Sequence, residues 1–137
     1  MKDFKSLSYT KTRLERKNLS EIKKAIVVFY YVEKIKSNLI LTFSLLDVLD
    51  GMRDEEISGA EKLLVAYFNA LIQEVNIAVN VSGIQGFKDV STKLEEAIEQ
   101  TRQHDYANVM KLVSEAITIT TTNGNKAAET LKEENLI

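Results

Sequence analysis

Proline is absent from all 137 residues, and the first of only five glycines is Gly51. Proline removes a backbone donor and clashes with the preceding helical turn, and glycine is the next most disruptive residue in a helix interior. A chain so poor in breakers can sustain long helices, which favours them over the turn-rich all-β classes. The expectation is an all-α protein, a helical bundle or array of four to five antiparallel helices with a long first helix.

The apolar pattern supports this. Asn18 with Glu21, or Ser20 itself, supplies a helix start ahead of a run that meets no breaker until Gly51, the expected left-handed residue after the last turn. This places a first helix over 20–50. Val28, Val32, Ile35, Leu39, Thr42, Leu46 and Leu49 recur at alternating steps of four and three, and the seam keeps phase across Ser37 and Asn38. A second stripe, Ile22, Ile26, Phe29, Ile40 and Phe43, lies beside it.

Ser58 and Glu61 have the spacing of a capping box, so a second helix is expected over 59–82, with Leu64, Tyr67, Phe68, Leu71, Val75 and Ala78 inward. Asp54, Glu55 and Glu56 precede it, where a helix dipole favours negative charge. A third helix fits 89–103, opened by Thr92 and Glu95, with Val90, Leu94, Ala97, Ile98 and Thr101 on one side. A fourth fits 105–119, capped by Asp105, with Tyr106, Val109, Met110, Val113, Ala116 and Ile117 inward. The stretch TTTNGN, ending on Gly124 and Asn125, is expected to stop the fourth helix, leaving a short fifth helix in KAAETLKEENL.

The hairpin from 90 to 119 resembles a single tetratricopeptide-type unit. Asp105 and Tyr106 stand at an Asp-Tyr turn, and Ala97, Val109 and Ala116 lie near small-residue packing positions, while Lys93 and Gln100 replace the large apolar residues of that family's first helix. The resemblance implies, as the alternative architecture, a short right-handed helical array. No second copy follows at the period such arrays need.

Functional chemistry is sparse. There is no cysteine, and therefore no disulfide, thiolate metal site or cysteine nucleophile. His104 is the sole histidine, which leaves a catalytic triad or multi-histidine metal site without partners. Glu96 and Glu99 share a helix face and resemble half of the magnesium-binding carboxylate set of all-α nucleoside triphosphate pyrophosphatases, but Thr118 breaks the matching pair that would begin at Glu115. The glycines of SGIQG lack the Lys-Ser or Lys-Thr ending of a phosphate loop. The reading is a non-enzymatic protein with no catalytic residue, no metal and no cofactor.

Two features point to partners. The stretch AIVVFYYV, Ala25 to Val32, is apolar around its whole circumference, and Leu63, Val65, Ala66 and Ile72 exceed the inward stripe of the second helix. Val27, Phe29, Tyr30, Tyr31, Leu63 and Ile72 are therefore the candidate interface residues of a homodimer, joined through helices 20–50 and 59–82. Charge supplies the alternative. Residues 1–24 carry a balance of +5 and residues 25–137 one of −7. Lys2, Lys5, Lys11, Arg13, Arg16, Lys17, Lys23 and Lys24, interleaved with Phe4 and Tyr9, form a basic N-terminal arm over 1–19 and its continuation that is suited to a nucleic-acid backbone. The sparse apolar set Phe4, Leu7, Leu14 and Leu19 makes an anionic membrane surface a third, weaker expectation.

The N-terminal twenty residues lack the apolar core of a secretory signal, and the uncharged run from Ser37 to Leu46 is half the length of a membrane span. A single cytoplasmic domain over 1–137 without a transmembrane segment is the corresponding expectation.

Overall fold

The computed structural model describes the backbone of residues 2–137 and the side chains from Asn18 onward. The described residues form four helices and no strand: α1 (Lys2–Asp50), α2 (Asp54–Ser82), α3 (Gly86–Arg102) and α4 (Tyr106–Glu133). Each helix packs on its neighbours in sequence, and α1 also packs on α4. Among the described residues the backbones of the diagonal pairs, α1 with α3 and α2 with α4, do not approach within 8 Å. The result is a closed bundle, which is the first of the two expected architectures.

Side-chain contacts show that neighbouring helices run antiparallel. Asn38 and Lys34 of α1 meet Tyr67 and Glu74 of α2 in reverse order. Asn76 and Glu61 of α2 meet Ser91 and His104 across the α2–α3 pair. Gly124 of α4 lies against Val32 of α1.

The seam read from α1 is the core. Val28, Val32, Ile35, Leu39, Thr42, Leu46 and Leu49 are all buried, joined by Ala25. Leu64, Phe68, Leu71, Val75 and Ala78 of α2 complete it from one side, Val90, Leu94, Ala97, Ile98 and Thr101 of α3 from another, and Val109, Val113 and Ala116 of α4 close it. Two of the buried polar members are satisfied within their own helices: Thr101 Oγ1 and Thr120 Oγ1 each donate to the carbonyl four residues back at 2.8 Å. Met110 departs from the expected inward set and is exposed, while Tyr106 and Ile117 are half-buried.

Several boundaries differ from the sequence reading, each for a physical reason. α1 begins at Lys2, so the segment expected as an arm continues the helix, and Ser20 is an exposed residue inside it. At a rise of ~1.5 Å per residue α1 is a rod of roughly 73 Å, and it runs unbroken through Ser37. Its C-terminal end does not use a left-handed glycine, because Gly83 is the one glycine with positive φ among the described residues. Instead Gly51 and Met52 donate to Val48 and Leu49 in a tightened last turn.

α2 starts at Asp54, five residues before the expected Gly59. The Glu56 carboxylate accepts from the backbone N–H of Arg53 at 3.2 Å and from its Nε at 3.1 Å, which gives half of a capping box to an arginine rather than to Ser58. The three acids therefore form the first turn itself. Gly83 ends the helix at φ 72°, its N–H bonded to Val79 O at 2.8 Å. α3 starts at Gly86, three residues early, and Thr92 donates to Lys88 O inside the helix instead of capping it.

The largest correction concerns α4. TTTNGN does not stop the helix, which continues to Glu133 and absorbs the expected fifth helix. Thr118, Thr120 and Thr122 return their hydroxyls to the carbonyls four residues back. Gly124 is buried against α1, and a Cβ there would lie 2.7 Å from Val32 Cγ1. The glycine serves a close helix crossing, and the packing it allows outweighs its unfavourable helix propensity of about 1 kcal/mol. α3 reaches only to Gly86, beside Asn123, so the last ten residues of α4 run along α1. Ala127 and Leu131 are buried there together with Ala25 and Val28.

Candidate interaction face

Of the eight residues of AIVVFYYV three are buried, three are half-buried and two, Ile26 and Tyr30, are exposed. Ala25, Val28 and Val32 are buried. Phe29 and Tyr31 are half-buried and packed against the core, Phe29 on the α4 side of α1, and Val27 is half-buried. Tyr30 is exposed, with its ring edge-on to Tyr31 and Lys34 Nζ 5.6 Å from its centre. On α2, Leu63 is exposed while Ile72 packs partly against the core. The expected interface set therefore divides: Tyr30 and Leu63 face outward, Val27 is at the margin, and Phe29, Tyr31 and Ile72 belong largely to the fold.

Further outward apolar residues appear that the sequence reading did not single out for this role. Leu41, Leu45 and Val48 of α1 and Ile77 and Val81 of α2 are exposed. They lie on one side of the bundle, as helical spacing from two bridges between α1 and α2 shows. Tyr67 donates its hydroxyl to Asn38 O at 2.6 Å, and Lys34 pairs with Glu74 at 3.2 Å. Leu41 and Leu45 follow Asn38 by three and seven residues, and Leu63, Ile77 and Val81 stand within two turns of Tyr67 or Glu74. The strip between them carries the exposed small residues Ala66 and Ala70.

Across this face Lys34 of α1 pairs with Glu74 of α2, and the carboxylate raises the Lys34 ammonium above its usual range. The same carboxylate, after burial, raises the Tyr67 phenol. Tyr30, Leu41, Leu45, Val48, Leu63, Ile77 and Val81 are between 43% and 76% exposed. At roughly 100 Å² apiece, about half of what a large side chain can bury, they offer some 700 Å², close to the ~800 Å² that each partner contributes to a standard interface.

The opposite side of the bundle is polar. An open groove of about 410 Å³ between α3 and α4 is lined by Lys93, Glu96, Glu99, Gln100, Lys111 and Glu115. Lys93 and Glu115 pair across it at 2.9 Å, which lowers the Glu115 carboxyl and raises the Lys93 ammonium. Glu115 is thus engaged by a lysine, and among the described residues no three His, Cys, Asp or Glu gather as a metal cluster.

One polar constellation was missed by sequence reasoning. Glu61 is buried on α2, where its carboxylate accepts from the Tyr106 hydroxyl and lies 2.6 Å from His104 Nδ1. His104, expected to be solvated at a helix end, adopts a left-handed backbone at φ 61° that brings its ring to α2, and its side chain stays mostly exposed. Burial, and then the hydrogen bond to Glu61, push the Tyr106 phenol up to about 12. Asp105 caps α4 as expected, accepting from Asn108 N at 3.2 Å.

Of the basic residues, Lys2, Lys5, Lys11, Arg13, Arg16 and Lys17 lie outside the described side chains, as do Phe4, Leu7, Tyr9 and Leu14. Lys23 and Lys24 are exposed on α1. α2 is long and apolar enough by length and composition to cross a membrane, with a mean hydropathy of 1.3 over its most apolar window, a third of which is buried in the bundle. Compared with known protein families, curated proteins and solved structures, the chain matches none.

Proposed function

We propose that this protein is a non-enzymatic interaction module that self-associates through the outer face of α1 and α2. The observation that carries this reading is the concentration of half-exposed large apolar residues on that face, where Lys34 and Glu74 already pair with each other. A contiguous apolar surface of this size exceeds what an isolated subunit ordinarily leaves in water. Fully burying a large aliphatic side chain is worth roughly 1.5–3 kcal/mol, so residues already half covered contribute about 1 kcal/mol each on association. Both copies contribute, and the total is of the order of the ~4–15 kcal/mol that association costs. Self-association of moderate affinity follows.

The test is molar mass by light scattering, for the wild type and for Tyr30→Lys combined with Leu63→Lys. The wild type is expected at twice 15.5 kDa, and the double variant at the monomer mass with unchanged helical circular dichroism. A wild-type monomer at high micromolar concentration refutes the reading. In that case a titration with DNA and RNA at low salt asks whether the basic segment ending in Lys23 and Lys24 carries the function. Flotation with anionic vesicles asks the same of a lipid surface.

A further inference from the structure

The exposed stripe of α2 has an internal symmetry that specifies how two copies meet. Outward from Ala70, Leu63 and Ile77 each lie seven residues away, Gly59 and Val81 each eleven, and Ala66 and Glu74 each four. Small residues hold the centre, large apolar residues stand at equal distances on both sides, and the outermost pair matches a glycine with a valine. A Cβ placed on Gly59 would meet nothing within 4 Å, so open space lies over this exposed glycine where a neighbouring valine can seat. Reversing one helix sets Leu63 against Ile77, Gly59 against Val81 and Ala66 against Glu74.

Resting on the self-association reading above, we infer that two copies pack α2 against α2 in antiparallel register about a two-fold axis at Ala70. Leu63 of each copy then covers Ile77 of the other, Val81 seats over Gly59, Ala66 faces Glu74, and Ala70 meets its own copy where the helix backbones approach to the ~8 Å of a close crossing. A two-fold interface of this kind uses the same patch twice and closes on itself.

Charge selects this arrangement over the parallel one. Parallel packing sets Glu74 beside Glu74, Lys34 beside Lys34, and the two segments 1–24, each with a balance of +5, side by side. Antiparallel packing separates these like charges. It also brings Lys23 and Lys24, exposed near the end of the bundle where α2 finishes, toward the Asp54, Glu55 and Glu56 turn of the other copy, where Arg53 is the one nearby base on α2's first turn.

The chain has no native cysteine, so single-cysteine variants report the register directly. Ala70→Cys sits on the axis and is expected to form an interchain disulfide in high yield under mild oxidation, because only a position at the axis comes within the ~7 Å Cα separation a disulfide tolerates from its own copy. Leu63→Cys lies ~21 Å from its own copy across the axis and is expected not to cross-link alone. It is expected to cross-link when mixed with Ile77→Cys. Gly59→Phe puts a ring where Val81 would seat and is expected to shift the mass toward monomer with unchanged helical circular dichroism. Self-cross-linking of Leu63→Cys, or a dimer by scattering in which Ala70→Cys stays reduced, overturns the register while leaving self-association standing. A monomer by scattering removes self-association itself.

Discussion

Replacing Gly124 by alanine adds a methyl group at the closest approach of α1 and α4. Two effects oppose each other. In the unstrained interior of a helix, Gly→Ala is worth about 1 kcal/mol of stabilisation, since alanine loses less backbone freedom. Here the new Cβ would lie 2.7 Å from Val32 Cγ1, 3.0 Å from Cγ2 and 3.2 Å from Cβ. Ordinary carbon contacts are ~3.5–4.0 Å, so the overlap involves several atoms at once. Val32 is buried, and a β-branched side chain in a helix has essentially one χ1 rotamer, so it cannot turn away. The helices must separate, and overpacking of this type costs about 1–3 kcal/mol.

The expected net effect is destabilisation by about 1 kcal/mol, a lowering of the melting temperature by roughly 3–5 °C for a chain of this length. Gly59→Ala, measured at a concentration where the chain is monomeric, is the internal control. That glycine is also helical, exposed and free of neighbours within 4 Å, so the same substitution should raise stability by about 0.5–1 kcal/mol. Urea unfolding followed by helical circular dichroism measures both. A Val32→Ala, Gly124→Ala cycle should show a favourable coupling of about 1–2 kcal/mol, because the smaller partner makes room for the methyl group. If Gly124→Ala stabilises as much as Gly59→Ala, the close crossing does not explain why α4 runs through its glycine.

Glu61→Ala removes the acceptor of both the Tyr106 hydroxyl and His104. It should cost about 2 kcal/mol in urea unfolding, with Glu61→Gln costing less because an amide oxygen still accepts. A near-zero effect of Glu61→Ala would mean the cluster is solvated and contributes nothing. Tyr106 predicts an alkaline limb. Its folded phenol is raised to about 12, above the unfolded value near 10. Its contribution is therefore complete below about pH 10 and is lost as pH rises toward 12. Phenolate absorbance should show a late-titrating component that Tyr106→Phe diminishes while the raised Tyr67 phenol remains, and the same variant should flatten the fall in stability over that window.

The core was legible because it is periodic. Seven positions of α1 and five of α3, read from steps of three and four, are all buried. The exceptions arise where a distant contact overrides local preference. Thr120 and Gly124 read as a stop, yet both are buried in α4 and the glycine is required by Val32, 92 residues earlier in the chain. The start of α2 was displaced because Arg53 and Glu56 form a pairing that no serine or threonine announces. Of the candidate interface, Tyr30 and Leu63 were foreseen as surplus. Leu41, Leu45, Ile77 and Val81 were not, since which flank of a stripe stays uncovered depends on where the neighbouring helices sit. The Glu61–His104 contact spans 43 residues and had no local signature.

The final ten residues of α4 have α1 as their backbone neighbour, and this arrangement partitions the motions of the molecule. Detaching residues 124–133 would uncover Ala127 and Leu131 but leave the packing of Phe68, Phe87 and Leu94 intact. Amide protons in those turns should thus exchange through a small local opening, well before the amides beside Phe68 and Leu94, which await global unfolding. The free end of α4 answers to one neighbour alone, fastened where a glycine meets a valine and where Ala127 and Leu131 are buried.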